Sequence, residues 1–121
     1  MTKPLDGVRI IDLSNMLMAP YATQILGDMG ADIIKVEPPV GDPIRGIGPY
    51  RNPGMGAIFM NINRSKRSIV LDLKKPDGHA AILELLKDAD VLIYNRRPKV
   101  MDRLDLSYEK LSKINPRLIY A

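Results

Sequence analysis

The chain contains 121 residues, and its apolar content of 45% can supply one hydrophobic core, so we expect at most one domain. Cysteine is absent, which excludes disulfide bonds, thiolate metal sites and thiol nucleophiles. A net charge of +4 and a pI of about 9.4 favour an anionic partner, but not nucleic acid, because one Phe and no Trp offer few surfaces for stacked bases.

The first half of the chain predicts a strand, a helix, a second strand and a loop. Residues 8–13 form an apolar run that predicts the first strand. Pro20 and Gly30 suit the start and end of a helix over residues 20–29. Its predicted buried stripe consists of Ala22, Ile25, Leu26 and Met29. Residues 33–37 predict a second strand, and the Pro- and Gly-rich residues 38–61 predict a long irregular loop.

The second half predicts three further strands and two helices. Strands are predicted over residues 68–73, 89–95 and 118–121. Pro76 opens a helix whose buried stripe contains Ile82, Leu85, Leu86 and Ala89. Ser107 is predicted to cap a short helix that turns Leu111 and Ile114 inward. Because strands and helices alternate, we predict an α/β fold with a Rossmann-like parallel sheet and flanking helices.

Basic residues follow the third and fourth predicted strands. Lys74 lies at the carboxyl end of the third strand, and four cations fall between residues 96 and 103, after the fourth. Ligands bind at this edge of open α/β sheets, and guanidinium groups match phosphate oxygens. We therefore predict that Lys74, Arg96, Arg97 and Arg103 converge on an anion, with a solvated basic loop as the alternative. Arg64, Lys66 and Arg67 lie at the other end of a strand, which favours a structural or interfacial role.

Several other site classes find no support in the sequence. The first strand–helix turn has no glycine, so Glu37 alone does not indicate a dinucleotide-binding dehydrogenase. His79 is the only histidine and is predicted to be solvated, and no metal-ligand spacing or convincing nucleophile is found. Residues 16–18 could form an apolar wall for a ligand or pack in the core. No segment has the length of a signal peptide or membrane span, so we expect a cytoplasmic protein without a membrane partner.

In sum, these segments resemble the N-terminal part of the class III CoA-transferases, the family that includes formyl-CoA and carnitine CoA-transferases. The resemblance covers the whole chain and is carried, in order, by residues 4–14 (PLDGVRIIDLS), 19–20, 26–37 (LGDMGADIIKVE), 41–45, 63–68, 71–74, 95–98, 106–111 and 115–120. It implies that residues 1–121 are the N-terminal part of a CoA-binding, Rossmann-like large domain. The rest of the protein, including a small domain, would lie outside this sequence. The resemblance also implies a homodimer of interlocked chains.

The resemblance further implies which residues contact CoA and how the reaction runs. The implied CoA contacts are Leu17, Met18, Leu71, Asp72, Leu73, Lys74, Asn95, Arg96, Arg97, Arg103 and Leu104. The substrates would be an acyl-CoA donor and a small carboxylic acid acceptor, with no metal and no nucleic acid. The catalytic nucleophile would be an aspartate beyond Ala121, which forms an acyl anhydride and then an aspartyl-CoA thioester.

The chain departs from the family pattern at four positions. Ala19 stands where Gly is usual, Arg96 and Lys99 where Phe and Gly are common, and Pro38 where some members have Arg. The alternatives to a transferase are an α-methylacyl-CoA racemase of the same superfamily and a non-catalytic CoA-binding or dimerisation fragment.

Overall fold

The computed structural model describes residues 2–121, in which strands and helices alternate. The elements are β1 (Arg9–Asp12), α1 (Met18–Asp28), β2 (Asp32–Glu37), α2 (Ala57–Ile62), β3 (Lys66–Val70), α3 (Pro76–Lys87), β4 (Val91–Ile93), α4 (Pro98–Arg103), α5 (Tyr108–Ile114) and β5 (Ile119–Tyr120). A 3₁₀ turn over Pro43–Gly46 lies between β2 and α2.

The five strands form one parallel sheet in the order β3-β2-β1-β4-β5, which confirms the predicted Rossmann-like α/β fold. In the centre of the sheet, Ile10 of β1 is paired with Ile33 of β2 and Val91 of β4. The chain first builds outward from β1 to β3 and then continues on the other side of β1. A crevice therefore opens at the carboxyl ends of β1 and β4, where open α/β sheets commonly bind ligands.

The larger part of the core lies between the sheet and helices α3, α4 and α5. Its buried side chains are Ile11, Leu13, Ile34, Val36, Ile82, Leu86, Ala89, Leu92, Met101, Leu106, Leu111 and Leu118. A smaller cluster on the other face contains Ile10, Ala31 and Ile33, with Leu26 of α1 packed against it. Burying one such aliphatic side chain contributes about 1.5–3 kcal/mol, so this layer fixes α3 and α4 on the sheet.

Four residues of α1 and its end were predicted to be buried, and only Leu26 is partly buried. Ala22, Ile25 and Met29 are exposed, and the helix instead buries Pro20, Thr23, Gln24 and Gly27. A Cβ atom on Gly27 would lie 2.9 Å from the carbonyl oxygen of Ser65. The backbone of α1 therefore approaches β3 closely, and the face beneath it is polar because Thr23 bonds to Asp12.

Other predicted boundaries also need correction. The segment 38–61 is not a continuous irregular loop, because it contains the 3₁₀ turn and most of α2. Strand β3 ends at Val70, so residues 71–74 form the following turn, and part of the predicted basic loop after β4 is helix α4. Ser107 precedes α5 as predicted, but its side chain makes no capping hydrogen bond, and Ile114 is exposed.

A buried ion pair joins the central strand to the edge strand. Lys66 Nζ lies 3.0 Å from Asp12 Oδ2, and the two side chains are 2% and 0% exposed. Lys66 also donates to the Pro20 carbonyl and the Asn63 side chain, both at 2.8 Å, while Thr23 donates to Asp12 at 2.6 Å. Burial lowers the pKa of Lys66, although the neighbouring Asp12 opposes this effect. These bonds hold β1, α1 and β3 together.

Two further ion pairs hold the segment after β2 against the sheet. Lys35 Nζ lies 2.9 Å from Asp42 Oδ2, and both side chains are 1% exposed. Glu37 accepts two hydrogen bonds from the Arg45 guanidinium, at 2.6 and 2.7 Å, and one from Ser68 at 2.7 Å. The Arg45 guanidinium also stacks 3.7 Å from the centre of the Phe59 ring. Burial alone would raise the pKa of Glu37, but these hydrogen bonds hold it at about 2.

The Glu37 carboxylate predicts an acid-sensitive contribution to stability. Its folded pKa of about 2 lies below the ordinary value of 4.5. The contribution is therefore present above pH 4.5 and is lost as the pH falls toward 2. We expect Glu37→Gln to lower the free energy of unfolding at pH 7 by about 2–3 kcal/mol. Relative to wild type, this variant should lose less stability between pH 4.5 and 2 in urea unfolding.

Glu84→Gln is the matched control, because Glu84 is exposed and pairs only with Lys87 on the same helix. This control should follow the wild-type pH dependence. A Glu37→Gln variant whose stability falls with acid as steeply as wild type would contradict the assignment.

Candidate functional site

Two adjoining clefts open at the carboxyl edge of the sheet, on the side of β2 and β3. The first, which we call the apolar cleft, is lined by Val36, Glu37, Pro38, Leu71, Asp72, Leu73, Lys74, Arg96 and Leu104. The second, the basic cleft, is lined by Leu73, Lys74, Lys75, Pro76, His79, Arg103, Leu104 and Asp105. Because Leu73, Lys74 and Leu104 belong to both linings, one ligand can occupy the two clefts together.

The turn after β3 forms the wall between β3 and α3. The backbone N–H of Leu71 donates to the Glu37 carbonyl at 2.9 Å, which extends the pairing of β2 and β3 by one residue. Asp72 then accepts from the backbone N–H of Lys74 through its side chain and from that of Lys75 through its carbonyl, at 3.1 and 3.0 Å. These bonds fix the turn and hold both lysines at the rim of the clefts.

Helix α3 packs on this turn with almost no space between the backbones. A Cβ atom on Gly78 would lie only 2.2 Å from the carbonyl oxygen of Asp72, so no larger residue fits there without movement. The N–H of His79 donates to the Lys75 carbonyl at 2.9 Å, which places these two residues one helical turn apart. The close contact at Gly78 therefore brings His79 beside the basic turn.

Helix α4 carries the opposite wall. Pro98 begins this helix, and Met101 is buried in the core. At its end, the Leu106 N–H donates to the Met101 carbonyl at 2.9 Å, and Leu106 is fully buried. Arg103 and Leu104 are thereby held facing the turn after β3, at the junction of the two clefts.

Within residues 2–121 the clefts are lined by more cations than free carboxylates, since Asp72 is the lining carboxylate that forms no ion pair there. Within residues 2–121, Lys74, Lys75, Arg96 and Arg103 form no ion pair with a carboxylate, whereas Asp105 pairs with Lys110. In contrast, the cations at the start of β3 are all paired: Arg64 with Asp28 at 2.8 Å, Lys66 with Asp12 at 3.0 Å and Arg67 with Asp32 at 2.6 Å. The unneutralised charge therefore lies at the cleft edge, where it favours an anion.

Two nitrogen atoms in the cleft walls are buried without a hydrogen-bond partner among the described residues. They are Nε of Arg96 in the apolar cleft and Nε2 of His79 in the basic cleft. Buried polar groups are normally hydrogen-bonded, so each of these atoms is a candidate for a contact that the polypeptide itself does not supply. The expectation that His79 is solvated is therefore wrong for this nitrogen.

Not every residue predicted for the site lines these clefts. The structure brings together Leu71, Asp72, Leu73, Lys74, Arg96, Arg103 and Leu104. Arg97 is exposed and precedes α4, outside the lining of both clefts. The Asn95 amide instead binds the Asn15 backbone, accepting at 3.1 Å and donating at 2.8 Å.

Leu17 and Met18 lie at the start of α1, beyond the β1–β4 crevice that Asn15 and Asn95 bridge. They are 45% and 75% exposed, so they do not pack in the core. The turn before them is held by Asp42, which accepts from the Met16 N–H at 3.2 Å, and Met16 has a left-handed φ of 65°. An apolar surface consequently faces solvent beside the crevice.

Sequence reasoning missed Lys75, Pro76, His79 and Asp105 in the basic cleft, and Val36 and Pro38 in the apolar cleft. Lys75 and His79 are four residues apart at the start of a helix, and residues with this spacing lie on the same helix face. The spacing could therefore have indicated that His79 lies beside the basic turn. Glu37 lines the apolar cleft, but both of its carboxylate oxygens accept hydrogen bonds from Arg45. Its carboxylate is therefore not free to bind a ribose hydroxyl.

Residues 2–121 contain neither a candidate membrane span nor a candidate metal site. No helix in this range combines the length and apolar character needed to cross a membrane. No three His, Asp or Glu side chains in the same range converge in a way that could hold a metal ion.

Comparison with known proteins gives a consistent set of relatives. The chain is 52% identical over 119 residues to the acetyl-CoA:oxalate CoA-transferase of Acetobacter aceti, covering 98% of this chain and 30% of that protein. It is 46% identical to the formyl-CoA:oxalate CoA-transferase of Rhodopseudomonas palustris, covering 100% of this chain and 29% of that protein. The chain thus spans about 30% of the length of the curated relatives it matches.

Structural comparison points the same way. The crystal structure of a CAIB/BAIF family protein from Brucella suis superposes with a TM-score of 0.93 at 41% identity, covering 99% of this chain and 33% of that one. Residues 5–121 match the sequence model of CoA-transferase family III. On this match to nearly its whole length, the chain belongs to CoA-transferase family III.

Proposed function

We propose that this chain is the CoA-binding N-terminal part of a longer protein that transfers CoA from an acyl-CoA donor to a small carboxylic acid. The observation that carries the proposal is the double cleft at the carboxyl edge of the sheet. There, apolar walls combine with cations that form no ion pair within residues 2–121; the residues are Leu71, Asp72, Leu73, Lys74, Arg96, Arg103 and Leu104. The purine and ribose of CoA would occupy the apolar cleft, and its phosphates would contact the cations.

We propose that the exposed turn at the start of α1 contacts the pantetheine arm of CoA. The pantetheine arm of CoA would extend from the clefts toward the β1–β4 crevice, where Asn95 and Asn15 are bonded to each other. Leu17 and Met18 then offer an apolar contact beyond that crevice. Arg97 stays a predicted phosphate contact, because its exposed side chain can reach a ligand that extends past the clefts.

A transferase is favoured over the racemase alternative because the relatives described above are named as CoA-transferases. In the proposed chemistry, an aspartate carboxylate attacks the acyl-CoA thioester, which gives an acyl anhydride and CoA thiolate. The thiolate then attacks the anhydride, releases the donor acid and leaves an aspartyl-CoA thioester. The acceptor carboxylate next attacks the aspartyl-CoA thioester and displaces CoA thiolate, which gives a second anhydride between the aspartate and the acceptor. The thiolate then attacks the acceptor carbonyl of this anhydride, which forms the new acyl-CoA and releases the aspartate carboxylate.

In this proposal the nucleophilic aspartate lies beyond Ala121, and the described residues serve to hold CoA between the steps. Several separate contacts to CoA suit this task, because free CoA thiolate must stay bound until it attacks the anhydride. We also propose an interlocked homodimer in the cytoplasm for the longer protein. Its dimer contacts would include exposed apolar side chains of α1, such as Tyr21 and Ile25.

The proposal predicts which cations contribute to CoA binding. A hydrogen bond to a charged group contributes about 1.5–3 kcal/mol, so Arg103→Ala should weaken CoA binding roughly ten- to a hundredfold. Lys74→Ala and Arg97→Ala should also weaken binding, and the wild-type affinity should fall with added salt. Isothermal titration calorimetry of the purified protein with CoA measures each effect.

Arg64→Ala is the matched control for these titrations, because it removes an exposed cation that is paired with Asp28 at the other end of β3. This control should bind CoA like wild type. Unchanged affinity in Arg103→Ala, or an equal loss in Arg64→Ala, would remove the proposed site.

A second prediction separates binding from chemistry. The 121-residue chain alone should bind CoA but transfer none to a carboxylic acid, since the described residues supply no nucleophile in the proposed mechanism. Incubation with acetyl-CoA or formyl-CoA and oxalate, followed by mass spectrometry of the CoA esters, tests this. Sustained formation of oxalyl-CoA by the chain alone would show that the assignment of the nucleophile is wrong.

A further inference from the structure

His79 stands out in the basic cleft because nothing in the proposed function assigns it a task. Its ring lines the cleft together with Lys74, Lys75 and Arg103, and its Nε2 atom has no hydrogen-bond partner among the described residues. Burying a donor or acceptor without a hydrogen-bond partner is unfavourable, and a solvated histidine would avoid this cost. The close contact of Gly78 with Asp72 holds the helix in the position that imposes this cost.

We propose that His79 is a phosphate-binding residue and that the basic cleft takes the 3′-phosphomonoester of CoA. This inference rests on the proposed function, since it assigns one part of CoA to one part of the double cleft. A phosphomonoester carries between about −1.5 and −2 charges at neutral pH, more than one phosphate of the pyrophosphate does. Lys74, Lys75 and Arg103, which form no ion pair within residues 2–121, line one cleft with the imidazole and match that charge.

The arrangement of the two clefts distinguishes the two phosphate groups of CoA. The apolar cleft reaches Arg96, the neighbour of Asn95 at the β1–β4 crevice, whereas the basic cleft is lined only by residues of the β3–α3 turn, α3 and the end of α4. With the purine in the apolar cleft, the 5′-pyrophosphate must lead the pantetheine arm toward the crevice. The 3′-phosphate leaves the ribose in another direction, toward the basic cleft.

The imidazole of His79 can add a hydrogen bond to the charge that the neighbouring cations supply. A ring nitrogen that carries a hydrogen atom donates to a phosphate oxygen, and Lys74, Lys75 and Arg103 line the same cleft.

The test compares CoA with 3′-dephospho-CoA by titration calorimetry of the purified protein. His79→Ala should weaken CoA binding about tenfold and should leave dephospho-CoA binding unchanged, because only CoA carries the phosphate that this residue is proposed to contact.

His79→Gln guards against a folding effect, because glutamine keeps an uncharged donor at this position. It should unfold near the wild-type temperature and bind CoA with an affinity that lies between those of His79→Ala and wild type. Its affinity for dephospho-CoA should equal that of wild type. An equal loss of affinity for CoA and dephospho-CoA in His79→Ala would overturn the inference.

These measurements separate this inference from the proposed function. Wild-type protein that binds CoA tightly while the His79 variants are unchanged would overturn the inference alone. Wild-type protein that binds neither CoA nor dephospho-CoA would overturn the proposed function, and the inference with it.

Discussion

The buried ion pair between Lys66 and Asp12 is the interaction on which the arrangement of the sheet, α1 and the segment before β3 depends. It joins the central strand β1 to the edge strand β3, and its other bonds reach α1 and the end of α2. Removing one partner of such a pair leaves an uncompensated buried charge, which costs about 3–5 kcal/mol. The fold therefore requires both residues together. The face of α1 that lies over this pair is polar, because Thr23 and the Pro20 carbonyl bond to it.

This internal pairing also determines where the protein carries free charge. Lys35, Arg45, Lys66 and Arg67 are all bound to carboxylates of the sheet and its connecting segments. The cations around the clefts have no such partner within residues 2–121, so they leave a local positive potential at the carboxyl edge. The same edge has apolar walls supplied by Leu71, Leu73 and Leu104. A ligand with an apolar ring and several phosphates suits this combination.

The sequence allowed the parallel α/β fold to be predicted because its strands are short apolar runs separated by helix signals. It also predicted that Lys74, Arg96 and Arg103 would lie at one edge, since each follows a strand whose direction is the same. Their shared position is a finding, whereas their contact with CoA stays a prediction. The buried face of α1 could not be predicted, because it depends on Asp12, Lys66 and Gly27, which meet only after the sheet has formed.

The position of His79 depended on a similar long-range constraint. Its isolation as the only histidine, early in a helix, favoured a solvated side chain, and the local sequence contains nothing that contradicts this. The reason lies in the contact of Gly78 with the Asp72 backbone, which draws the first turn of α3 onto the β3–α3 turn. Arg97 and Asn95 were predicted to lie in the site because they are next to Arg96 in the sequence. Neither residue lines the clefts, so being next to a lining residue in the sequence does not show that a side chain faces the site.

The central claim is that the carboxyl edge of the sheet near β3 and α4 binds CoA. Chemical-shift mapping with the ¹⁵N-labelled chain tests it most directly, since every backbone N–H reports separately as CoA is added. The account predicts saturable shifts at residues 71–75, His79, Arg96 and 103–105, with Arg64 and Arg67 at the opposite end of β3 unaffected. Shifts centred on residues 64–67, or no saturable shift at the clefts, would contradict it.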